Sequence, residues 1–430
     1  MINDKTNSRR KIITIILCFL VIFCGLGMIQ PRGLFVVPIT KALNISRSAY
    51  SLTDTIRSVT SAVISIFFGF FIEKFGSKIL ICAGFIAFAL GDLAFALAEN
   101  IVLLYVGSFL FGVGLALAST AIVGFVISKV CVKHNGIILG AVLAANGVGG
   151  AVFSQVYALF LAESEGTFGY RNAYYFAAVI LTAVLVLILV LYRSPDHSAG
   201  SAIREKPRSF SWEGISFSQA KKTVYFYLVC VSVFITGLSL QGLTSVRSAY
   251  MQDVGFDVAF VATVSGVSAV SLAGFKFFSG YMYEKKGLRA TVTMGSLSAI
   301  TAVTVLFFIT NSPAGKVLSV SYAVLMAIAL PLETVMLSIY AGELFGEKSF
   351  GKVLGILSTM HYAGSAVASP TMNLCFDLTG SYKPAFVALG IAMALMLLML
   401  HISIFNAKRL RSKTEKCSAE EKELSEANQK

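Results

Sequence analysis

The chain has 430 residues, of which 56% are hydrophobic and 13% are charged, and its mean hydropathy is +0.79. A soluble globular protein of this length needs more charge to cover its surface, so the composition indicates a protein that lipid surrounds over most of its length. The formal net charge of +13 comes from basic residues in short loops and at both ends. This distribution is typical of the positive-inside rule and not of a nucleic-acid-binding face.

Apolar segments follow one another along the whole chain, and each is long enough to cross a hydrocarbon core of about 30 Å as a helix. β-Structure is not expected, because a backbone in lipid must satisfy its hydrogen bonds within helices or a closed barrel. We therefore predict an all-α membrane protein with twelve transmembrane helices in two pseudo-symmetric six-helix bundles. The predicted spans are 12–38, 48–71, 79–98, 101–127, 135–162 and 171–192, then 222–250, 257–283, 289–310, 315–342, 350–375 and 382–405.

The spans define a domain organisation and a location. An even number of spans leaves both termini on one side, and the basic loops place that side in the cytoplasm of a multi-pass plasma-membrane protein. The predicted parts are a cytoplasmic N-terminus (1–11), a first bundle (12–192), a cytoplasmic linker (193–221), a second bundle (222–405) and a cytoplasmic tail (406–430).

A short signature occurs twice, and the copies begin at Gly69 and Gly280, 211 residues apart. Each copy lies where a long apolar segment gives way to a basic loop. Duplicated hydropathy of this kind is typical of transporters with two repeated halves and a central substrate site. The glycines allow close helix approach, and the charged residues suit interactions with neighbouring helix ends. The candidate loop residues are Gly69, Glu73, Lys74 and Gly76 in the first copy, and Gly280, Glu284, Lys285 and Gly287 in the second.

The first copy, which ends at Lys78, resembles the loop 2–3 motif of the major facilitator superfamily. Glu73 stands in place of the usual aspartate and Lys74 in place of the usual arginine. The resemblance covers residues 12–405 and implies two six-helix bundles that give alternating access to a cavity between them. It implies nothing about the substrate.

A narrower resemblance is to monocarboxylate transporters and the related oxalate–formate antiporters. It is carried by Pro31-Arg32, by Lys276, and by the glycine-spaced run 134–150. The chain departs from these families at Leu272, where animal monocarboxylate transporters place an aspartate. It also departs in the eleventh span, where the antiporters carry a lysine and the polar residue of this chain is His361. The resemblance implies secondary active transport of small organic anions, mono- or dicarboxylates, by proton symport or anion exchange.

Arg32 and Lys276 are the candidate bases for binding an anion. Lys276 lies eight residues before Glu284 and hence about 12 Å inside the membrane, where an unpaired base costs at least about 2.5–3.5 kcal/mol. It either contacts substrate or pairs permanently with Glu333. Arg32 follows a helix-kinking proline and offers a bidentate fork to a carboxylate; its alternatives are a gate pair or a headgroup contact. Arg57 has Asp54 one turn away to neutralise it.

The other candidates are polar residues at mid-membrane depth. Gln30 and Gln241 are related by the 211-residue repeat, and Asn146 matches His361 between the fifth and eleventh spans. These four are predicted to contact substrate or to bridge helices. Glu333 and His361 are also the candidates for proton coupling, since a buried carboxyl group and an imidazole can exchange protons.

Enzymatic activity is not expected, since the chain has no phosphate-binding glycine loop and no GxSxG or HExxH pattern. Its seven cysteines are scattered without metal-ligand spacing, so we expect no metal and no cofactor. The predicted partners are a small organic anion, protons and the bilayer, with no nucleic acid, and the protein is predicted to be a monomer. The alternative function is export of another anionic or amphipathic solute or drug.

Overall fold

The computed structural model describes residues 2–130, 135–163, 168–192 and 214–427, and the regular structure in these ranges is helical throughout. The all-α prediction is therefore confirmed. In the first half the helices are α1 (Ile2–Leu20), α2 (Val36–Leu43), α3 (Arg47–Ile66), α4 (Phe68–Ala96), α5 (Ile101–Leu117), α6 (Thr120–Val130), α7 (Asn135–Glu163) and α8 (Phe168–Leu191).

The second half begins with a short helix, α9 (Phe217–Ala220). The longer helices that follow are α10 (Val224–Asp253), α11 (Val258–Phe307), α12 (Pro313–Ala329), α13 (Pro331–Phe345), α14 (Phe350–Thr379) and α15 (Lys383–Ala427). The last helix continues beyond the predicted end of its span at 405, because the tail is rich in the helix formers lysine and glutamate. Of the predicted linker, residues 193–213 lie outside the described residues.

Nine segments in the described ranges are long and apolar enough to cross a membrane. One of them is α11, whose 50 residues are interrupted at Gly287 and so supply two crossings. Helices α3 and α14 carry more polar residues and pack against each other. With these two helices included, the structure agrees with the twelve predicted spans.

The first span is irregular between α1 and α2. The segment Val21–Leu26 is a π-helix, and Gly27–Phe35 is a 3₁₀ helix. Within the second segment, the backbone of Pro31 is not helical, with φ −83° and ψ 15°. Proline removes a backbone donor and collides with the preceding turn, so a break here follows from the sequence. The irregular stretch places Gln30 and Arg32 at the interface between the two halves.

The repeated loops have the same backbone. Gly76 has φ 74° and ψ 164°, and Gly287 has φ 76° and ψ 176°. This region is open almost only to glycine, which explains why both copies keep it. Beside the first turn, Lys78 Nζ donates to the carbonyl of Leu189 at 2.9 Å, near the carboxyl end of α8. The sequence repeat is therefore also a structural repeat.

Candidate solute-binding cavity

A cavity of about 350 Å³ lies between the two halves and takes its walls from both. Its apolar wall residues include Leu26, Ile29, Val36, Phe95, Leu115, Leu272 and Leu330. Its polar wall residues are Gln30, Arg32, Tyr50, Thr53, Asp54, Arg57, Asn146, Gln241, Thr244, Ser245 and Glu333. Five of the seven predicted substrate and proton residues thus meet in one cavity.

Two of the predicted amides are joined to each other. Gln30 Nε2 donates to Asn146 Oδ1 at 3.4 Å, which links the irregular first span to α7. The helices approach closely here, since a Cβ on Gly27 would lie 2.8 Å from the Cα of Gly149. Gln241 faces the same cavity from α10. The amides therefore form part of the wall on both sides of the interface.

Arg32 is held against aromatic rings. The carbon of its guanidinium lies 3.4 Å from the ring centre of Phe111 and 5.8 Å from that of Phe95, a cation–π arrangement. Within the described part of the chain, no hydrogen bond or ion pair is found for this side chain. Asp92, which is only 5% exposed, interacts with Arg32 through its charge but is not an ion-pair partner. Arg32 is thus positioned, yet open to an anion.

The second arginine of the cavity is already neutralised. Arg57 Nη2 lies 2.8 Å from Asp54 Oδ1, one turn away on α3. Asp54 also accepts a hydrogen bond of 3.2 Å from Ser369 Oγ of the second half. The pairing predicted from the sequence is present, and it leaves Arg32 as the arginine of this wall that is available to a ligand.

Glu333 supplies an acid from the opposite wall. It lies in the first turn of α13, two residues after Pro331, and is half-buried. Its Oε2 is buried and has no hydrogen-bond partner. The charges of Glu333 and Lys276 interact, but these two described residues form no ion pair within 4 Å. The permanent salt bridge considered from the sequence is therefore not formed.

Two predicted residues lie outside the cavity wall. Lys276 is exposed on α11 and does not line the cavity, so it does not meet Arg32 there. His361 packs where α14 meets α10, and a Cβ on Gly237 would lie 3.0 Å from its Nδ1. That nitrogen is buried and has no hydrogen-bond partner. Their predicted contacts with substrate stay predictions.

One end of the interface is closed by a cluster around Arg47, and we call it the clamp end. The Arg47 guanidinium forms two hydrogen bonds with the carboxylate of Asp253 and lies 4.0 Å from the ring centre of Phe376. Asp377 accepts hydrogen bonds from the backbone N–H of Arg47 at 3.3 Å and of Ser48 at 2.9 Å. Asp377 of the second half thus caps the start of α3 in the first half.

Both repeated loops lie at the opposite end, which we call the motif end. Helix α3 starts at Arg47 and leads to Glu73, while α11 starts just after Asp253 and leads to Glu284. Because Arg47 and Asp253 touch, the two loops are at the same end, as the sequence predicts. Several glycines of the described residues at this end adjoin open space. Five glycines of α11 and α14 would meet no atom within 4 Å of an added Cβ: Gly274, Gly280, Gly287, Gly351 and Gly355.

A model of the Major Facilitator Superfamily matches residues 15–332 of the chain. The chain belongs to this superfamily. It is a transporter family and not an enzyme family, so the prediction that the protein is not an enzyme is confirmed. The family and the apolar helices together make the chain a multi-pass membrane protein.

Among curated proteins, the chain is similar to two relatives named for drug resistance. Multidrug resistance protein 2 of Bacillus subtilis (strain 168) is 25% identical over 410 residues, which cover 92% of this chain and 96% of the relative. Quinolone resistance protein NorA of Staphylococcus aureus (strain MSSA476) is 22% identical over 397 residues, which cover 88% of this chain and 93% of NorA. The narrower resemblance to monocarboxylate transporters and oxalate–formate antiporters stays a prediction.

Solved structures agree on the fold. The nucleoside transporter NupG has a TM-score of 0.71 at 13% identity, over 91% of this chain and 98% of NupG. A bacterial homolog of the human lysosomal transporter Spinster has a TM-score of 0.65 at 13% identity, over 94% of this chain and 97% of the homolog. At these identities the likeness concerns the fold alone.

Sequence reasoning missed the aromatic support of Arg32 and the whole clamp end. The chain has 34 phenylalanines, and nothing in the pattern distinguishes Phe95 and Phe111 from those that face lipid. Arg47, Asp253 and Asp377 each lie at a helix end, where charged residues are ordinary. Only the pairing of distant helix ends in space makes these residues a cluster.

Proposed function

We propose that this protein is a secondary active exporter of an amphipathic organic solute, and that Arg32 binds an anionic group of that solute. The observation that carries the proposal is the guanidinium of Arg32 at the cavity wall, supported by Phe111 and without an ion-pair partner among the described residues. An anion that enters the cavity gains a charge-assisted, bidentate hydrogen bond there.

The size and lining of the cavity favour an amphipathic solute over a small carboxylate. A volume of about 350 Å³ falls within the range of about 300–1,000 Å³ that drug-sized ligands occupy. An acid as small as lactate would leave most of that space to water. Lys276, the second base expected for a small carboxylate, is outside the wall. The names of the two relatives, multidrug and quinolone resistance, support the same class of solute.

We propose further that Glu333 carries the proton that drives transport. Glu333 is a wall residue of the cavity, and its buried Oε2 has no hydrogen bond that a proton would have to break. Lys276 on α11 is the charged group whose field reaches it. His361 suits this role less well, because it packs between α10 and α14 and does not line the cavity. Transport then follows alternating access around a fixed site.

The test is transport by purified protein in liposomes with an imposed pH gradient. The solutes are lactate, oxalate and a panel of amphipathic aromatic carboxylates, and both solute and proton fluxes are recorded. We expect amphipathic solutes to move against the proton flux. Arg32→Gln removes a contact of about 1.5–3 kcal/mol and should slow transport roughly ten- to hundredfold. Glu333→Gln should abolish the dependence on the pH gradient and keep solute exchange.

Arg409→Gln is the matched control, because Arg409 is exposed after the last span and far from the cavity wall. It should leave both fluxes unchanged. Transport of lactate or oxalate without any amphipathic solute would overturn the proposal and favour the carboxylate transporter predicted from the sequence. Full pH-driven transport by Glu333→Gln would remove Glu333 from the coupling step.

A further inference from the structure

We infer that the solute is a zwitterion, with its anionic end on Arg32 and its cationic end on Glu333. This inference rests on the proposed function and adds the second charge of the solute. It follows from how the charges are distributed around the cavity.

The charged residues of the cavity wall balance one another. The ionisable groups of the wall are two bases, Arg32 and Arg57, and two acids, Asp54 and Glu333. Asp54 and Arg57 neutralise each other at 2.8 Å. What remains for a ligand is one base and one acid, which form no ion pair with each other. A cavity in which one base and one acid remain without a partner matches a solute that brings one charge of each sign.

The two remaining charges lie on opposite walls. Arg32 belongs to the irregular first span of the first half, and its guanidinium is fixed by the ring of Phe111. Glu333 belongs to α13 of the second half, and its Oε2 has no hydrogen-bond partner. A solute that satisfies both groups therefore spans the cavity from one half to the other.

The charges just outside the wall do not change this balance. Asp92 interacts with Arg32, and Lys276 interacts with Glu333. Neither forms an ion pair with its neighbour among the described residues, and neither is a wall residue of the cavity. A solute with only a negative charge would leave Glu333 without a partner once the solute displaces water, and one with only a positive charge would leave Arg32 without one. Both cases carry a desolvation penalty that a zwitterion avoids.

The rest of the wall suits an uncharged, amphipathic body between the two charges. Phe95, Leu115 and Leu272 offer apolar contact, while Asn146 and Gln241 offer amide hydrogen bonds. One molecule that bridges both halves would draw them together as it binds. Solute binding then favours the change in conformation that alternating access requires.

The experiment uses four matched probes and the full-length protein in lipid nanodiscs. Norfloxacin is an amphipathic aromatic zwitterion. Its methyl ester keeps the cationic end, its N-acetyl derivative keeps the anionic end, and the doubly blocked compound keeps neither. Binding is measured by fluorescence titration at one pH and one salt concentration. We expect the zwitterion to bind at least about tenfold more tightly than any of the other three, which a single ionic contact can supply.

Variants assign each end of the solute to its residue. In Arg32→Gln the zwitterion and the methyl ester should bind equally, because the carboxylate has lost its partner. In Glu333→Gln the zwitterion and the N-acetyl derivative should bind equally. Arg32→Lys and Glu333→Asp keep the charges and should keep part of the preference; they also show that a changed side chain alone does not abolish binding. Arg409→Gln should behave as wild type.

The outcomes separate this inference from the proposed function. If the N-acetyl derivative binds wild-type protein as tightly as norfloxacin, with Arg32 still required, the zwitterion is wrong and the anionic exporter survives. If Glu333→Gln keeps the full preference for the cationic end, the assignment to Glu333 is overturned. If no probe binds wild-type protein, or Arg32→Gln binds all four unchanged, both proposals fail.

Discussion

The two ends of the interface between the halves differ in how they are built. At the clamp end, Arg47 is 9% exposed and meets the carboxylate of Asp253 and the ring of Phe376, while Asp377 caps α3 across the interface. At the motif end, glycines of α11 and α14 face open space. Polar contacts between the two halves therefore hold the clamp end shut, whereas open space adjoins these glycines at the motif end.

The residues of the clamp end depend on one another for their hydrogen bonds and charge pairing. Burying a cation and an acid is repaid only when geometry and further hydrogen bonds are good, and removal of one partner leaves the other unpaired. Here the hydroxyl of Tyr382 also accepts from Arg47 at 3.1 Å and donates to Asn373 at 2.7 Å. Loss of Arg47 should therefore disturb the whole clamp end, and we expect it to have the largest effect of the substitutions considered below.

Arg47→Ala should open the clamp end. We expect a loss of about 3 kcal/mol, the lower end of the range for buried pairs, because the side chain of Asp253 is 28% exposed. Spin labels at exposed positions 99 and 383, in a protein without native cysteines, report the distance between the halves. The population of long distances should rise strongly. Arg171→Ala is the control, since Arg171 donates to Ala98 O within the first half; an equal rise there would contradict the role of the clamp.

At the motif end, we expect alanine substitutions to lower stability at the two glycine turns and to be tolerated at helical glycines nearby. Gly76→Ala and Gly287→Ala force a side chain into a backbone region closed to it, so each should destabilise the protein by about 1–3 kcal/mol. Thermal unfolding in detergent measures the change. Gly355→Ala is the matched control, because its Cβ would meet nothing within 4 Å, and a helical alanine is about 0.5–1 kcal/mol better than glycine. A loss of stability in the control equal to that of Gly76→Ala would refute the argument.

A smaller effect is expected between the clamp and the cavity. Thr55 Oγ1 donates to Ala366 O across the interface at 2.7 Å, so Thr55→Val should weaken closure by about 0.5–1.5 kcal/mol. The same pair of spin labels should show a modest rise in long distances. Thr301→Val removes a hydrogen bond to Leu297 O within α11 and should change nothing at the clamp. If the two variants behave alike, the cross-interface hydrogen bond does not contribute to closure.

The sequence predicted the fold because hydropathy and glycine positions are local signals. The 211-residue repeat between Gly69 and Gly280 appears in the structure as the matched turns at Gly76 and Gly287. The break at Pro31 was also predictable, since proline cannot continue a helix. These features depend on neighbours in the chain and need no knowledge of packing.

The sequence predicted which polar residues face the interior of the protein, but not which of them share one cavity. Polar residues in an apolar span must face the interior, which brought Gln30, Arg32 and Glu333 into the prediction. Helix rotation decides which of them share a cavity, and the sequence did not predict that Lys276 lies outside the wall. The clamp was missed because Arg47 and Asp377 are 330 residues apart and become partners only through packing of the two halves.

The most direct test of this account is the accessibility of Ser245, which lines the cavity. A Ser245→Cys variant without the seven native cysteines is treated with a membrane-impermeant thiol reagent in vesicles of both orientations. The basic loops predict that the motif end lies in the cytoplasm, and the account then predicts labelling from the cytoplasmic side and protection by a bound solute. Labelling from the outside alone, or labelling that no solute slows, would contradict a cavity closed by the clamp and open at the motif end.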